Sequence, residues 1–111
     1  NEPLLVNDDD DEYLNKYADF DVNGNKIVCV REMEPKSDHN ADSVINTIVS
    51  IDVNHVAFVQ ETLDSQHDFY ASPRINPVHS NIVSYIAWDH PNLPWDKTVL
   101  KIRDLNDKGN D

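Results

Sequence analysis

An all-β fold is predicted for this 111-residue chain, and three features of the sequence predict it. Val and Ile supply 20 residues against five Ala, and β-branched side chains lose rotamer freedom on a helix while packing well on a pleated surface. The apolar residues fall into seven runs of strand length. The chain also repeats itself at an offset of about 53 residues, each unit reading strand, tight turn, strand, long loop, strand.

The first twelve residues end in Asp8-Asp9-Asp10-Asp11-Glu12, a charge run expected to lie in solvent, as are the polar residues 106–111. Between them, over 13–105, strands are expected at residues 17–22, 26–33, 45–53, 56–63, 70–75, 81–88 and 98–105. In the first, Ala18, Phe20 and Val22 alternate with Tyr17, Asp19 and Asp21, the pattern of a strand with unlike faces. Asn23-Gly24 then predicts a hairpin, because both residues tolerate the positive φ of a type I′ turn. Ile27-Val28-Cys29-Val30 and the run from Ile82 to Trp88 lose alternation, as expected of strands buried on both faces. Asn76-Pro77-Val78-His79-Ser80 stands where the second unit needs its turn.

The repeat aligns 17–22 with 70–75, 26–30 with 81–85 and 47–51 with 98–102. That leaves four strands in a first unit, 17–63, and three in a second, 70–105. Four antiparallel strands every 40 to 50 residues or so is the period of a propeller blade. The expected architecture is therefore one complete blade and three strands of the next. A seven-stranded sandwich is the other all-β arrangement, but it does not call for the repeat.

Composition excludes several functions. Nine basic residues among 21 acidic ones, a net charge of −12, cannot build the positive surface that neutralises nucleic-acid phosphates. No apolar run approaches the roughly 20 residues of a membrane helix, so neither nucleic acid nor membrane is expected as a partner. Cys29 is the only cysteine and no Asn-x-Ser/Thr sequon occurs, which points to the cytoplasm. With only Gly24 and Gly109, the chain has no glycine-rich phosphate loop, no dinucleotide fingerprint and no Gly-x-Ser-x-Gly elbow. No cofactor is expected.

Asp19-x-Asp21-x-Asn23-Gly24 opens like a calcium loop, but the closing Glu is missing: its place is held by Val30, and Glu32 arrives two residues late. A hairpin turn accounts for these residues better than calcium does. His39, His55, His67, His79 and His90 stand too far apart to form the close pair that seats zinc. Cys29, inside an apolar run, reads as a small core hydrophobe. The least ordinary stretch is Trp88-Asp89-His90-Pro91-Asn92-Leu93-Pro94-Trp95-Asp96. Pro91 and Pro94 stiffen it, Trp88 and Trp95 place indoles at both ends, and Asp89 and Asp96 offer acceptors to backbone amides. It is expected to act as a staple between blades; its other reading is the wall of a substrate passage, together with the loop 34–44.

The stretch Asp68-Phe69-Tyr70-Ala71-Ser72-Pro73-Arg74-Ile75-Asn76-Pro77, followed by Ile86-Ala87-Trp88-Asp89-His90-Pro91-Asn92-Leu93-Pro94-Trp95-Asp96, resembles the propeller domain of prolyl oligopeptidase-family serine peptidases, in particular the acylaminoacyl-peptidase and dipeptidyl-aminopeptidase-like branch. Residues 17–21 and 27–32 are similar to the preceding blade. The resemblance implies a propeller seated on a C-terminal α/β-hydrolase domain, gating the access of short peptides to a Ser-Asp-His triad. No residue here matches that triad, so no catalytic residue is carried over. The family's turn after Ser-Pro usually carries Asp-Gly, where this chain has Val78-His79-Ser80. The resemblance implies, as partners, the hydrolase domain, the remaining blades and short peptide substrates. Other readings are a TolB-like propeller that serves as a protein-binding scaffold, and a small β domain binding calcium through Asp19, Asp21 and Asn23.

Overall fold

Seven strands form in the computed structural model, which describes residues 3, 5, 12–37, 43–54 and 58–107. The acidic run 8–11, His39, His55, Val56 and residues 108–111 lie outside the described residues. Strands β1 (Tyr13–Asn23), β2 (Lys26–Pro35), β3 (Ile45–Val53) and β4 (Phe58–Asp64) make one antiparallel sheet in chain order, and β5 (Phe69–Ile75), β6 (Ile82–Trp88) and β7 (Val99–Asp104) make a second. Among the described residues no helix is long and apolar enough to cross a membrane.

The strands depart from the sequence reading in instructive ways. β1 starts at Tyr13 rather than Tyr17, because Tyr13 to Lys16 pair with residues 32–35 of β2 although Asn15 and Lys16 break the apolar run. The hairpin turn is Gly24-Asn25, with Asn23 already paired to Lys26. Only Gly24 has positive φ (59°), so the φ signs are those of a type II′ turn, which asks for glycine at the first central position.

The expected alternation of Ala18, Phe20 and Val22 against Tyr17, Asp19 and Asp21 does not persist. A bulge inserts one extra residue between Ala18 and Asp21, with Asp19 left-handed at φ 52°, and leaves Phe20 69% exposed. The second unit carries the same bulge at the matching place, between Ala71 and Arg74, with Ser72 at φ 55°.

Burial on both faces holds in the first sheet. Val28, Ile48 and Leu63 join Tyr70, Ile75, Val83, Tyr85 and Ala87 in a core between the sheets. Cys29, Val49 and Ile51 form a second cluster, one residue along from Val28 and Ile48 and so on the sheet's far face. Each fully buried Val, Ile or Leu contributes roughly 1.5–3 kcal/mol to stability. β6 behaves differently: Val83, Tyr85 and Ala87 are buried, while Ile82, Ser84, Ile86 and Trp88 between them are only half-buried. The expectation of two covered faces fails here because no described residue forms a layer over the outer face of this sheet, where Leu100 and Ile102 are each 71% exposed.

Strand pairing also corrects the repeat. Tyr17 pairs with Arg31 and Tyr70 with Ala87; Cys29 pairs with Val49 and Tyr85 with Lys101. With Tyr17 matched to Tyr70, Cys29 therefore corresponds to Tyr85 rather than Ser84, and Val49 to Lys101 rather than Leu100. The β5–β6 connection is longer than β1–β2, and a one-residue error in a period-2 element exchanges its faces.

Candidate functional site

Three polar residues of β1 stitch the sheets together. Asp19 Oδ2 accepts from the Ser72 amide, Asp21 Oδ2 from the Ile75 amide at 2.8 Å, and Asn23 Nδ2 donates to the Asn76 carbonyl at 3.2 Å. The bulge turns Asp19 towards β5, whose own bulge presents the Ser72 amide. The residues suggestive of calcium thus spend carboxylate oxygens on backbone donors, and the described residues contain no group of three or more His, Cys, Asp or Glu placed to hold a metal.

A second fastening lies where β4 ends. A bulge opposite Ile48 and Val49 turns both Leu63 and Asp64 inward, and Asp64 is 6% exposed. Its Oδ1 accepts from Tyr70 Oη at 2.7 Å and the Gln66 amide at 2.9 Å; its Oδ2 accepts from Tyr85 Oη and from Lys101 Nζ at 2.8 Å. Burial alone pushes this carboxyl up, but the bonds from Lys101, Tyr85, Gln66 and Tyr70 outweigh it and hold Asp64 well below the ordinary carboxylate range. Burial and then the bond to Asp64 raise both tyrosine hydroxyls far above their ordinary value.

Lys101 also meets His67 Nε2 at 3.3 Å, and His67 Nδ1 meets Asp89 Oδ2 at 2.9 Å. An ammonium only donates, so with this geometry His67 accepts at Nε2 and donates from Nδ1 to Asp89. The relay runs beside a cavity of about 300 Å³ lined by Thr62, Asp64, Gln66, Tyr85, Lys101 and Arg103 among others. Both oxygens of Asp64 are doubly bonded, and Lys101 faces Asp64 Oδ2, Gln66 Oε1 and His67 Nε2, so the charged groups of the cluster are spent on one another. Its chemistry is that of a clasp.

The tryptophan loop is held by that relay at one end. Asp89 Oδ1 accepts from the Asp68 amide, Asp68 Oδ2 from the His90 amide, each at 2.8 Å, and the Asn92 amide closes a turn on the Asp89 carbonyl at 2.9 Å, with the His90–Pro91 bond cis. Trp88 stacks on Phe69 with ring centres 5.6 Å apart, and His90 meets the same ring edge-on at 4.8 Å. Asp96 Oδ2 accepts from the Leu93 amide across Pro94 at 2.9 Å. No ring among the described residues stacks on Trp95, which is 78% exposed. The structure therefore ties Trp88, Asp89 and His90 to the relay and the start of β5, follows them with an exposed Pro91, and leaves Pro94, Trp95 and Asp96 at an exposed tip. The companion loop 34–44 is described only in part, since 38–42 fall outside.

Sequence reasoning missed Asp64. A lone acid after an apolar strand carries no local signal, and its partners Tyr70, Tyr85 and Lys101 are separated from it by up to 37 positions. Cys29 is buried in the far-face cluster, where burial pushes its thiol up to about 11 against the opposing pull of Arg31. The chain matches no known family model, no curated protein and no solved structure.

Proposed function

We propose that this chain is part of a β-propeller: one four-stranded blade and three strands of the next, belonging to a cytoplasmic serine peptidase of the prolyl oligopeptidase kind. Its role there is non-catalytic. It helps wall a chamber that admits short peptides, acylated or dipeptidyl, to a hydrolase domain carried elsewhere in the parent chain.

The observation that supports this best is the face-to-face stacking of two sheets related by the repeat, with β1 lying along β5 and matching bulges at Asp19 and Ser72. A sandwich needs neither the matching bulges nor side-chain bonds at the repeat offset. The bare edge of β7 and the exposed Leu100 and Ile102 suit a further strand and a further sheet. A second reading, a TolB-like scaffold that binds proteins, draws on the exposed Trp95, since indoles are frequent anchors at interfaces.

Activity-based labelling separates them. A serine is a weak nucleophile without an aligned base and an oxyanion hole, so this chain alone should neither cleave peptide anilides nor react with a fluorophosphonate. A longer parent that does both supports the peptidase reading; a parent that refuses the probe supports the scaffold. Stoichiometric labelling of a serine within this chain would overturn the non-catalytic role.

A further inference from the structure

The far face of the first sheet carries a cation with no anion beside it among the described residues. Arg31 bonds to Gln60 Oε1 at 3.3 Å and Thr62 Oγ1 at 3.0 Å, both neutral, and no carboxylate among the described residues lies within ion-pair distance of it. Its Nε is buried and has no hydrogen-bond partner. Among the described residues, the other buried side-chain atom without a partner is Asn15 Oδ1. Asn15 pairs with Met33 and Tyr17 with Arg31, so the two orphaned atoms sit on the same face as diagonal neighbours. Around them lies the apolar cluster of Cys29, Val49 and Ile51. Leaving a buried donor or acceptor unpaired is costly, and the Nη1 and Nη2 groups of the same guanidinium are exposed and open to a further partner. Such a face is finished by something else.

The second sheet shows what. By strand register Tyr17 corresponds to Tyr70 and Cys29 to Tyr85, so the far face of the first sheet is the counterpart of the face that the second sheet turns to the first. That counterpart is occupied by Leu63 and by the Asp64 carboxylate at the end of the neighbouring sheet's outermost strand, bonded to Tyr70 and to the cation of Lys101. Tyr17 and Arg31 supply the same pair of groups, a hydroxyl and a cation, converging at present on Gln60 Oε1.

We infer that this face docks a further β-sheet through a carboxylate at the end of that sheet's edge strand, received by Arg31 and Tyr17 as Asp64 is received by Lys101 and Tyr70. The inference rests on the stacked-sheet reading above and adds the chemistry of the contact. The occupant carries an apolar residue followed by Asp or Glu, the order of Leu63-Asp64.

The test is an NMR titration of the whole chain with two capped tetrapeptides, Thr-Leu-Asp-Ser, which copies residues 62–65, and its Thr-Leu-Asn-Ser counterpart, following the Arg31 Nε–H signal. The Asp peptide should shift that signal saturably and bind about tenfold more tightly than the Asn peptide, the margin expected for a hydrogen bond to a charged group. In an Arg31→Gln chain the two peptides should become equivalent. Equal binding to the unaltered chain, or shifts confined to Arg74 and Arg103, would overturn the inference. Binding of anilinonaphthalene sulfonate to the same sample reports separately on the stacked-sheet reading, through the bare Leu100 and Ile102 face that the peptide does not touch. Dye binding without peptide discrimination removes the carboxylate contact alone; discrimination without dye binding counts against the stacking reading and leaves the contact standing.

Discussion

Asp64 and Asp89 do the same job in different media. Asp64 takes three side-chain bonds and one backbone bond and Asp89 one of each, and both join segments distant in sequence, yet the Asp64 side chain is 3% exposed and that of Asp89 50%. Both carboxyls are held below the ordinary range, Asp89 chiefly by the His67 hydrogen bond and the Asp68 amide. The lesson is in the medium. The Asp64 carboxylate is almost wholly withdrawn from solvent, whereas at the half-exposed Asp89 water replaces a lost partner readily, so a bond to Asp64 carries more weight than one to Asp89.

The sharpest way to break the contrast is Asp64→Asn. It strands Lys101 and leaves two buried hydroxyls sharing an uncharged amide, and the loss should be about 3 kcal/mol in urea denaturation. Combining Asp64→Leu with Lys101→Met removes both charges and should recover part of that loss. A pair of variants no better than Asp64→Asn would show that the clasp acts through the tyrosines rather than through charge.

Acid should expose the same site. The folded pKa of Asp64 is depressed, so its contribution is fully present above the unfolded carboxylate value of about 3.9 and is lost as pH falls towards the folded value. Tyr70 and Tyr85 have raised folded values, so theirs is fully present below about 10 and lost as pH climbs beyond it. Stability plotted against pH should be a plateau between those limits, and Asp64→Asn should flatten the acid limb.

Between the extremes lies the tryptophan loop. Trp88→Ala removes a half-buried ring stacked on Phe69 and should cost about 2 kcal/mol, below the value for a fully buried indole. Trp95→Ala should stay within about 0.5 kcal/mol of the unaltered chain. A large effect of Trp95→Ala on the melting of a longer parent would place that indole against another part of it. The smallest effect concerns Cys29: with its thiol raised to about 11 and buried, alkylation at neutral pH should be negligible in the folded chain and prompt in urea, read by mass spectrometry.

Some of this molecule is determined by local chemistry, so the sequence alone determined it. Gly24 places the first hairpin because it takes positive φ freely. The β-branched runs of β2, β3 and β6 place those strands, and the repeat predicts two like units. The tryptophan loop announces itself through its prolines and aspartates, which bond to backbone only a few residues or one strand away. Tertiary structure decided the rest. The bulges at Asp19, Ser72 and Leu63 change which way side chains point, and neither an Asp nor a Ser in a strand signals left-handed φ. Strand pairing settled the register of the repeat, because one residue of slip moves a side chain to the opposite face while leaving the hydrophobicity of the run unchanged. It also made Asp64 the clasp and left Arg31 without a counter-ion among the described residues. Burial and charge pairing are properties of what the chain brings together across dozens of residues, and no local pattern encodes them.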